Sequence, residues 1–142
     1  MEEDSMNDEG TKKLWNGKKT KASLMVSIHG RKSTIHIGKD VIRVIGAPGY
    51  VSLKVNQGLD SFIVVPSTEK EPMSFKVPDN LMFDHNKMLR VSSQSFVIGL
   101  LAMNDLDFNH TYRVWGTYSE KNNAVVFNMS DIQIYSDGGN DN

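Results

Sequence analysis

One short succession of secondary-structure elements is predicted twice along this chain. Residues 33–66 have the pattern of a strand, a short helix and two further strands, and residues 87–129 repeat that order without detectable sequence identity. A single βαββ unit cannot close a barrel or cover its own apolar face, whereas two units in one chain can do both. We therefore expect a mainly β fold with two short helices, in which a duplicated βαββ unit forms a small barrel.

The first unit is preceded by a hairpin that leads into it. Apolar residues alternate from 24 to 37, which predicts two strands joined by a turn at 30–32. Val41, Ile42 and Ile45 then recur at spacings of three and four residues, as on one face of a helix of about two turns. The remaining strands of this half are predicted at 51–55 and 62–65.

The second half repeats this order with a longer helix. Phe96, Val97, Leu100 and Leu101 form one helical stripe, and a serine at 92–93 is the predicted N-cap because its hydroxyl can accept a first-turn amide. The strands of this half are predicted at 75–77, 88–91, 112–115 and 124–127, with an edge strand at 132–134.

The apolar registers of the two halves coincide. Residues 35–37 match 89–91 at an offset of 54, and residues 51–53 match 112–114 at an offset of 61. The longer second helix and the loop after it absorb the difference. We expect the halves to superpose about a pseudo-two-fold axis and to bury Ile35, Ile37, Val41, Ile45, Val51, Leu53, Ile63, Val97, Leu101, Val114 and Val126.

The chain length and its polar ends indicate one domain with two tails. A chain of 142 residues can bury the core of one ordinary domain. The first 22 residues lack any apolar period, which predicts a disordered arm. The predicted boundaries are an arm at 1–22, a domain at 23–136 (repeat one 23–66, linker 67–72, repeat two 73–136) and a disordered tail at 137–142.

The composition excludes several classes of site. The chain has no cysteine, so disulfides, thiolate nucleophiles and cysteine zinc sites are excluded. No apolar run approaches the roughly 18 residues of a membrane span. The first residues are acidic and polar, unlike a signal peptide. We expect a cytoplasmic protein without membrane contact.

Charge is divided unevenly along the chain, although the net charge is only -1. Residues 11–56 contain ten Lys or Arg and one acid, Asp40, whereas residues 57–142 contain six basic and eleven acidic residues. Such asymmetry indicates a polyanion-binding surface. The alternative is a lysine-rich arm that only adds solubility.

Residues 35–53 carry a family resemblance. The pattern Ile35-x-Ile37-Gly38-Lys39-x-Val41-x-Arg43-x-Ile45-Gly46, followed by Gly49-Tyr50-Val51-x-Leu53, resembles the swapped-hairpin module of AbrB-like regulators and MazE-type antitoxins. Gly38 stands where that module usually has proline, and Gly49-Tyr50 where it usually has Gly-Asp. The resemblance implies a swapped-hairpin or cradle-loop barrel, with the double-psi barrel as a near alternative, and it implies DNA binding.

The resemblance and the charges together predict a regulator that binds double-stranded DNA. Lys and Arg displace counterions from phosphates, and arginine can read guanine in the major groove. For Arg43, the alternative is a surface ion pair with Asp40 or Glu69. The predicted nucleic-acid-binding residues are Lys18, Lys19, Lys21, Arg31, Lys32, Lys39, Arg43 and Lys54.

Catalytic and metal motifs are not visible in the sequence. The four histidines lack metal-ligand spacing, and no phosphate loop, dinucleotide fingerprint or nucleophile elbow occurs. Asp105 and Asp107 lie in a polar stretch where carboxylates are usually solvated. Trp115 is predicted on the opposite strand face from Tyr112 and Tyr118, and such aromatics either pack or stack on bases. We expect no enzyme activity, no metal and no cofactor.

A second function stays open beside DNA binding. In that reading the chain is a protein-interaction module, such as an antitoxin or a phage or mobile-element protein that binds a host protein. Its acidic second half would then be the working surface. Two repeats in one chain allow either a monomer that is a pseudo-dimer or a homodimer.

Overall fold

The computed structural model describes residues 23–83 and 88–137. Within them the chain forms nine strands and two α-helices, and short 3-10 helices lie at Leu81–Phe83 and Met129–Asp131. The helices are α1 (Lys39–Val44) and α2 (Gln94–Met103). The strands are β1 (Met25–His29), β2 (Thr34–Ile37), β3 (Tyr50–Val55), β4 (Ser61–Pro66), β5 (Ser74–Lys76), β6 (Leu89–Ser92), β7 (His110–Ser119), β8 (Ala124–Asn128) and β9 (Gln133–Asp137).

The strands form one strongly curved antiparallel sheet that resembles a barrel. Its order is β5-β3-β4-β8-β7-β1-β2-β6, and β9 also pairs with β7. Residues 110–115 of β7 pair with β1 and β9, whereas residues 116–119 pair with β8. The barrel is nearly closed. Its closure is incomplete because, within the described residues, no ladder joins the edge strands β5 and β6. The predicted mainly β fold with two helices is confirmed.

Gly116 lies where β7 passes from one set of partners to the other. A Cβ atom there would be 2.6 Å from Val125 Cγ1 and 2.7 Å from Phe127 Cε2, both buried core side chains. The Gly116 amide also donates a hydrogen bond of 2.7 Å to the Leu24 carbonyl. Only a residue without a side chain lets β7 bend this closely over β8.

Several ladders of the sheet join equivalent strands of the two halves. The succession β2-α1-β3-β4 recurs as β6-α2-β7-β8, as the repeated pattern predicts. β2 pairs with β6 and β4 with β8, while β1 pairs with β7 and β5 with β3. Exchange of the halves maps these ladders onto each other. Superposition of the halves, their duplication and the swapped-hairpin type stay predictions.

Of the eleven residues predicted to be largely buried, nine are buried and two are partly exposed. Ile63 and Val126 are only half-buried, and they lie opposite each other across the β4–β8 ladder. Their neighbours Phe62 and Phe127 fill the core instead, with ring centroids 4.9 Å apart. Both strands contain consecutive apolar residues. Alternation therefore does not predict which of these residues face the core and which face the other side.

Each of the two helices buries apolar side chains in the core. α1 buries Val41 and Ile42, and Gly46 follows it with φ of 102°, as a glycine C-cap requires. α2 begins after the predicted Ser93, whose side chain makes no capping hydrogen bond. Neither helix among the described residues is long and apolar enough to span a membrane.

Candidate functional site

The outer side of β6, β2, β1, β7 and β9 is a polar surface built by strand alternation. In β1 and β2 every second residue faces the core, so Ser27, His29 and His36 face the other side of the sheet. His29 and His36 are partly exposed there, whereas Ser27 is buried. The registers place Arg90 opposite His36, His36 opposite Ser27, and Ser27 opposite Arg113. These residues therefore form one row across four strands. We term the surface defined by His29, His36, Arg90, Arg113 and Trp115 the basic face.

The basic face carries positive groups and almost no acids. β1, β2, β6 and β7 contain no Asp or Glu, and the one acid of β9 is its last residue, Asp137. His110 and Asp107 form an ion pair of 3.8 Å at the start of β7. Because these four strands supply no carboxylate, their arginines can attract anions from solution.

A histidine pair occupies the middle of the basic face. The ring centroids of His29 and His36 are 4.0 Å apart, and the ring planes are tilted by 40°. His29 Nε2 lies 3.0 Å from Ser27 Oγ. Desolvation by burial, followed by the charges of His29, Arg90 and Lys32, lowers the pKa of His36 from 6.5 to about 4. His36 is therefore neutral at pH 7.

The lowered pKa of His36 predicts a pH-dependent stability. Because the unfolded chain binds a proton at this histidine near pH 6.5 and the folded chain only near pH 4, stability falls as pH decreases through that window. The full shift corresponds to about 2 kcal/mol between pH 7 and pH 5. Solvent screening at this partly exposed site reduces the expected loss to about 1 kcal/mol.

Urea unfolding at pH 7 and pH 5 measures this difference. His36→Gln is expected to remove about 1 kcal/mol of the pH dependence, because it removes the group that titrates between the two states. The comparison variant Thr117→Gln places the same side chain at an exposed position of β7 and leaves His36 in place, so it should retain the wild-type difference. An unchanged pH dependence in His36→Gln would contradict the assignment.

An aromatic cluster borders Arg113 on the same surface. The β7–β9 register shifts between Thr111 and Tyr112, which makes Tyr135 the extra residue of a β-bulge. The Arg113 guanidinium carbon lies 3.5 Å from the centroid of the Tyr135 ring. Trp115 is half-buried two residues along β7 and faces the same side as Arg113. Tyr112 is buried on the opposite side, as predicted.

The structure brings only some of the predicted DNA-binding residues near this surface. Arg31 and Lys32 are exposed in the β1–β2 turn, and Lys32 is close enough to act on His36. Lys39 is the first residue of α1. This helix follows the end of β2 that is distant from the β1–β2 turn. Arg43 is exposed on α1 and forms an ion pair with Asp40, the alternative considered for it.

The remaining predicted residues lie elsewhere. Lys54 is exposed on β3 and belongs to a row that continues through Ile63 on β4. The predicted lysines of the N-terminal arm lie outside the described residues, namely Lys18, Lys19 and Lys21. The predicted set therefore does not form one surface within the described part of the chain.

Sequence reasoning missed the central members of the basic face. Arg90 and Arg113 lie in the half of the chain with an acidic balance, and His29 and His36 lack metal-ligand spacing. The available signal was strand parity, because each of the four occupies a position that alternates with core residues. Within residues 23–83 and 88–137 no three metal-ligating side chains cluster.

Comparison with known proteins identifies no relative of this chain. Searches against protein-family models, curated proteins and solved structures found no match for the chain. The resemblance to AbrB-like modules therefore depends on residues 35–53 alone, and function is argued from the geometry of the basic face.

Proposed function

We propose that this chain is a non-enzymatic DNA-binding protein, a regulator of the AbrB-like type, that contacts phosphates through its basic face. The observation that carries the proposal is the row of Arg90, His36, Ser27 and Arg113 across four strands that contain no acid. Its two arginines attract a polyanion and are accessible to one, whereas Ser27 between them is buried.

The spacing of the two arginines suits a nucleic-acid backbone. Arg90 and Arg113 are separated by three strand spacings, which is about 14 Å. That distance equals the rise of about four base pairs along a duplex, so the two guanidinium groups can contact different phosphates. Arg31 and Lys32 extend the surface at the β1–β2 turn.

The double variant Arg90→Ala with Arg113→Ala tests this proposal. Loss of two phosphate contacts should weaken DNA binding and lower the slope of log affinity against log salt by about 1.8 on a duplex and about 1.4 on a single strand. Fluorescence anisotropy with labelled DNA of both forms, measured from about 50 mM salt upward, gives affinity and slope together.

A matched double variant controls for the loss of charge alone. Lys70→Ala with Lys121→Ala removes the same two charges from exposed turns outside the basic face. It should leave affinity within about twofold and the salt slope unchanged. An equal effect of both double variants would reject a localised interface, and no binding of either DNA form at about 50 mM salt would reject DNA binding altogether.

One observation favours the protein-interaction alternative. α2 contains no charged residue, and it exposes 40% of Ile98 and 60% of Met103. Phe108, in the loop that follows, is 42% exposed. Exposed apolar side chains of this kind occur at protein interfaces. A chain that binds no DNA at low salt would be assigned to this class, with α2 as the first surface to mutate.

A further inference from the structure

We propose that the preferred ligand of the basic face is single-stranded DNA, whose unpaired bases stack on Tyr135 and Trp115 while Arg113 and Arg90 contact the phosphates. This inference rests on the DNA binding of the proposed function, and it replaces the duplex that the AbrB-like resemblance implies by a single strand.

The β-bulge in β9 positions the first stacking platform. Ile134 pairs with Tyr112 and Ser136 with Thr111, so Tyr135 has no partner in the ladder. A bulge re-aims the side chain of its extra residue, and here it places the tyrosine ring beside Arg113 on the outer side. Tyr135 as a whole residue is 54% exposed, and because the Arg113 guanidinium covers one face of the ring, a base would stack on the other face.

Arg113 and Tyr135 form one preorganised unit. The guanidinium lies over the ring at 3.5 Å, within the range of a cation–π contact, and the contact restricts a side chain that is otherwise flexible. A fixed guanidinium can donate hydrogen bonds to a phosphate, and its planar surface can also stack on a base. The pair therefore offers both of the contacts that a nucleotide presents.

Trp115 supplies a second ring at a suitable distance. It follows Arg113 by two residues on the same side of β7, which separates the two positions by about 7 Å. His29 and His36, whose ring centroids are 4.0 Å apart, add two imidazole rings between the strands of Arg113 and Arg90. Aromatic rings that alternate with cationic groups along a sheet are typical of surfaces that bind unpaired nucleotides.

A duplex makes poorer use of this surface. Bases inside a duplex are covered above and below by their neighbours, so Tyr135 and Trp115 would find no free base face. Entry into the major groove needs a helix or a protruding ribbon. The aromatic residues of the basic face lie within a sheet instead. Only the phosphate contacts would remain with duplex DNA.

The experiment compares three DNA ligands by fluorescence anisotropy at about 50 mM salt. They are a labelled oligothymidylate of about 20 nucleotides, an abasic strand of equal length with the same phosphates, and a duplex of equal length. Each is titrated with the wild-type chain and with Tyr135→Ala, Tyr135→Phe and Phe83→Ala. Phe83 is 85% exposed in the 3-10 helix before residue 84, so its variant removes an exposed ring elsewhere.

The expected result has three parts. The wild-type chain binds oligothymidylate about tenfold or more tighter than the abasic strand and the duplex. Tyr135→Ala weakens oligothymidylate binding by about 5- to 100-fold and weakens the other two ligands by a smaller factor, because only oligothymidylate loses a stacked base while all three lose the ring that orients Arg113. Tyr135→Phe and Phe83→Ala retain wild-type affinity. In a Trp15→Phe background, the fluorescence of Trp115 is quenched by oligothymidylate and not by the abasic strand.

Other results separate this inference from the proposed function. Equal or tighter binding of the duplex, or a Tyr135→Ala variant with unchanged oligothymidylate affinity, would overturn the single-strand assignment and leave DNA binding standing. An oligouridylate of equal length is titrated as a fourth ligand, and its tighter binding than oligothymidylate would overturn the assignment to DNA. Binding of none of the ligands at about 50 mM salt would overturn both proposals.

Discussion

Leu101→Ala is expected to lower the free energy of unfolding by roughly 2–5 kcal/mol. Leu101 is fully buried on the inner side of α2, together with Val97 and Leu100. Truncation removes buried methyl groups and leaves a cavity that the curved sheet cannot fill without moving its strands. Urea unfolding monitored by circular dichroism measures the change directly.

Ile98→Ala is the matched control in the same helix. Ile98 is 40% exposed, so its truncation to the same residue leaves no closed cavity. The expected loss is below about 1 kcal/mol, and the higher helix propensity of alanine offsets part of it. If Leu101→Ala lowered the free energy of unfolding no more than Ile98→Ala does, the burial of Leu101 in the core would be contradicted.

The local elements of this fold could be predicted because each has its own signal in the sequence. Alternation at Ile35 and Ile37, followed by the spacing of Val41, Ile42 and Ile45, marks the change from β2 to α1. The same change of period separates β6 from α2. Such signals depend on neighbouring residues only, so they do not require knowledge of the tertiary structure.

The facing of strands with consecutive apolar residues could not be predicted in this way. Phe62 to Val65 and Ala124 to Phe127 offer hydrophobic side chains to both sides of the sheet. Tertiary packing decides which set enters the core, and here it selects Phe62 and Phe127 rather than Ile63 and Val126. Ile63 and Val126 face the other side of these strands and are half-buried.

The candidate site depended on long-range pairing, which a single sequence does not reveal. Arg90 and Arg113 are distant from His36 in the chain, and only the β2–β6 and β1–β7 ladders place them in one row. The bulge that exposes Tyr135 is likewise a property of the β7–β9 register. Charge counts along the chain pointed to residues 11–56, whereas the pairing assembles the surface from both halves.

Gly30→Ala is expected to destabilise the fold by about 3 kcal/mol, near the upper end of overpacking costs. A Cβ atom at this position would lie 2.4 Å from the carbonyl oxygen of Phe108 and 2.8 Å from its carbonyl carbon. Both obstacles are backbone atoms, so no side chain can rotate away. Relief requires the β1–β2 turn to separate from the loop before β7, which also breaks the 3.1 Å hydrogen bond from the Gly30 amide to the His110 carbonyl.

The same displacement should reduce DNA binding, because the turn carries Arg31 and Lys32 at the end of the basic face. Gly58→Ala is the matched control, since a Cβ atom in the β3–β4 turn would meet nothing within 4 Å. That variant should unfold within about 0.5 kcal/mol of wild type and bind DNA normally. Chemical unfolding and anisotropy on both variants measure the two effects, and wild-type stability in Gly30→Ala would disprove the close approach of the two loops.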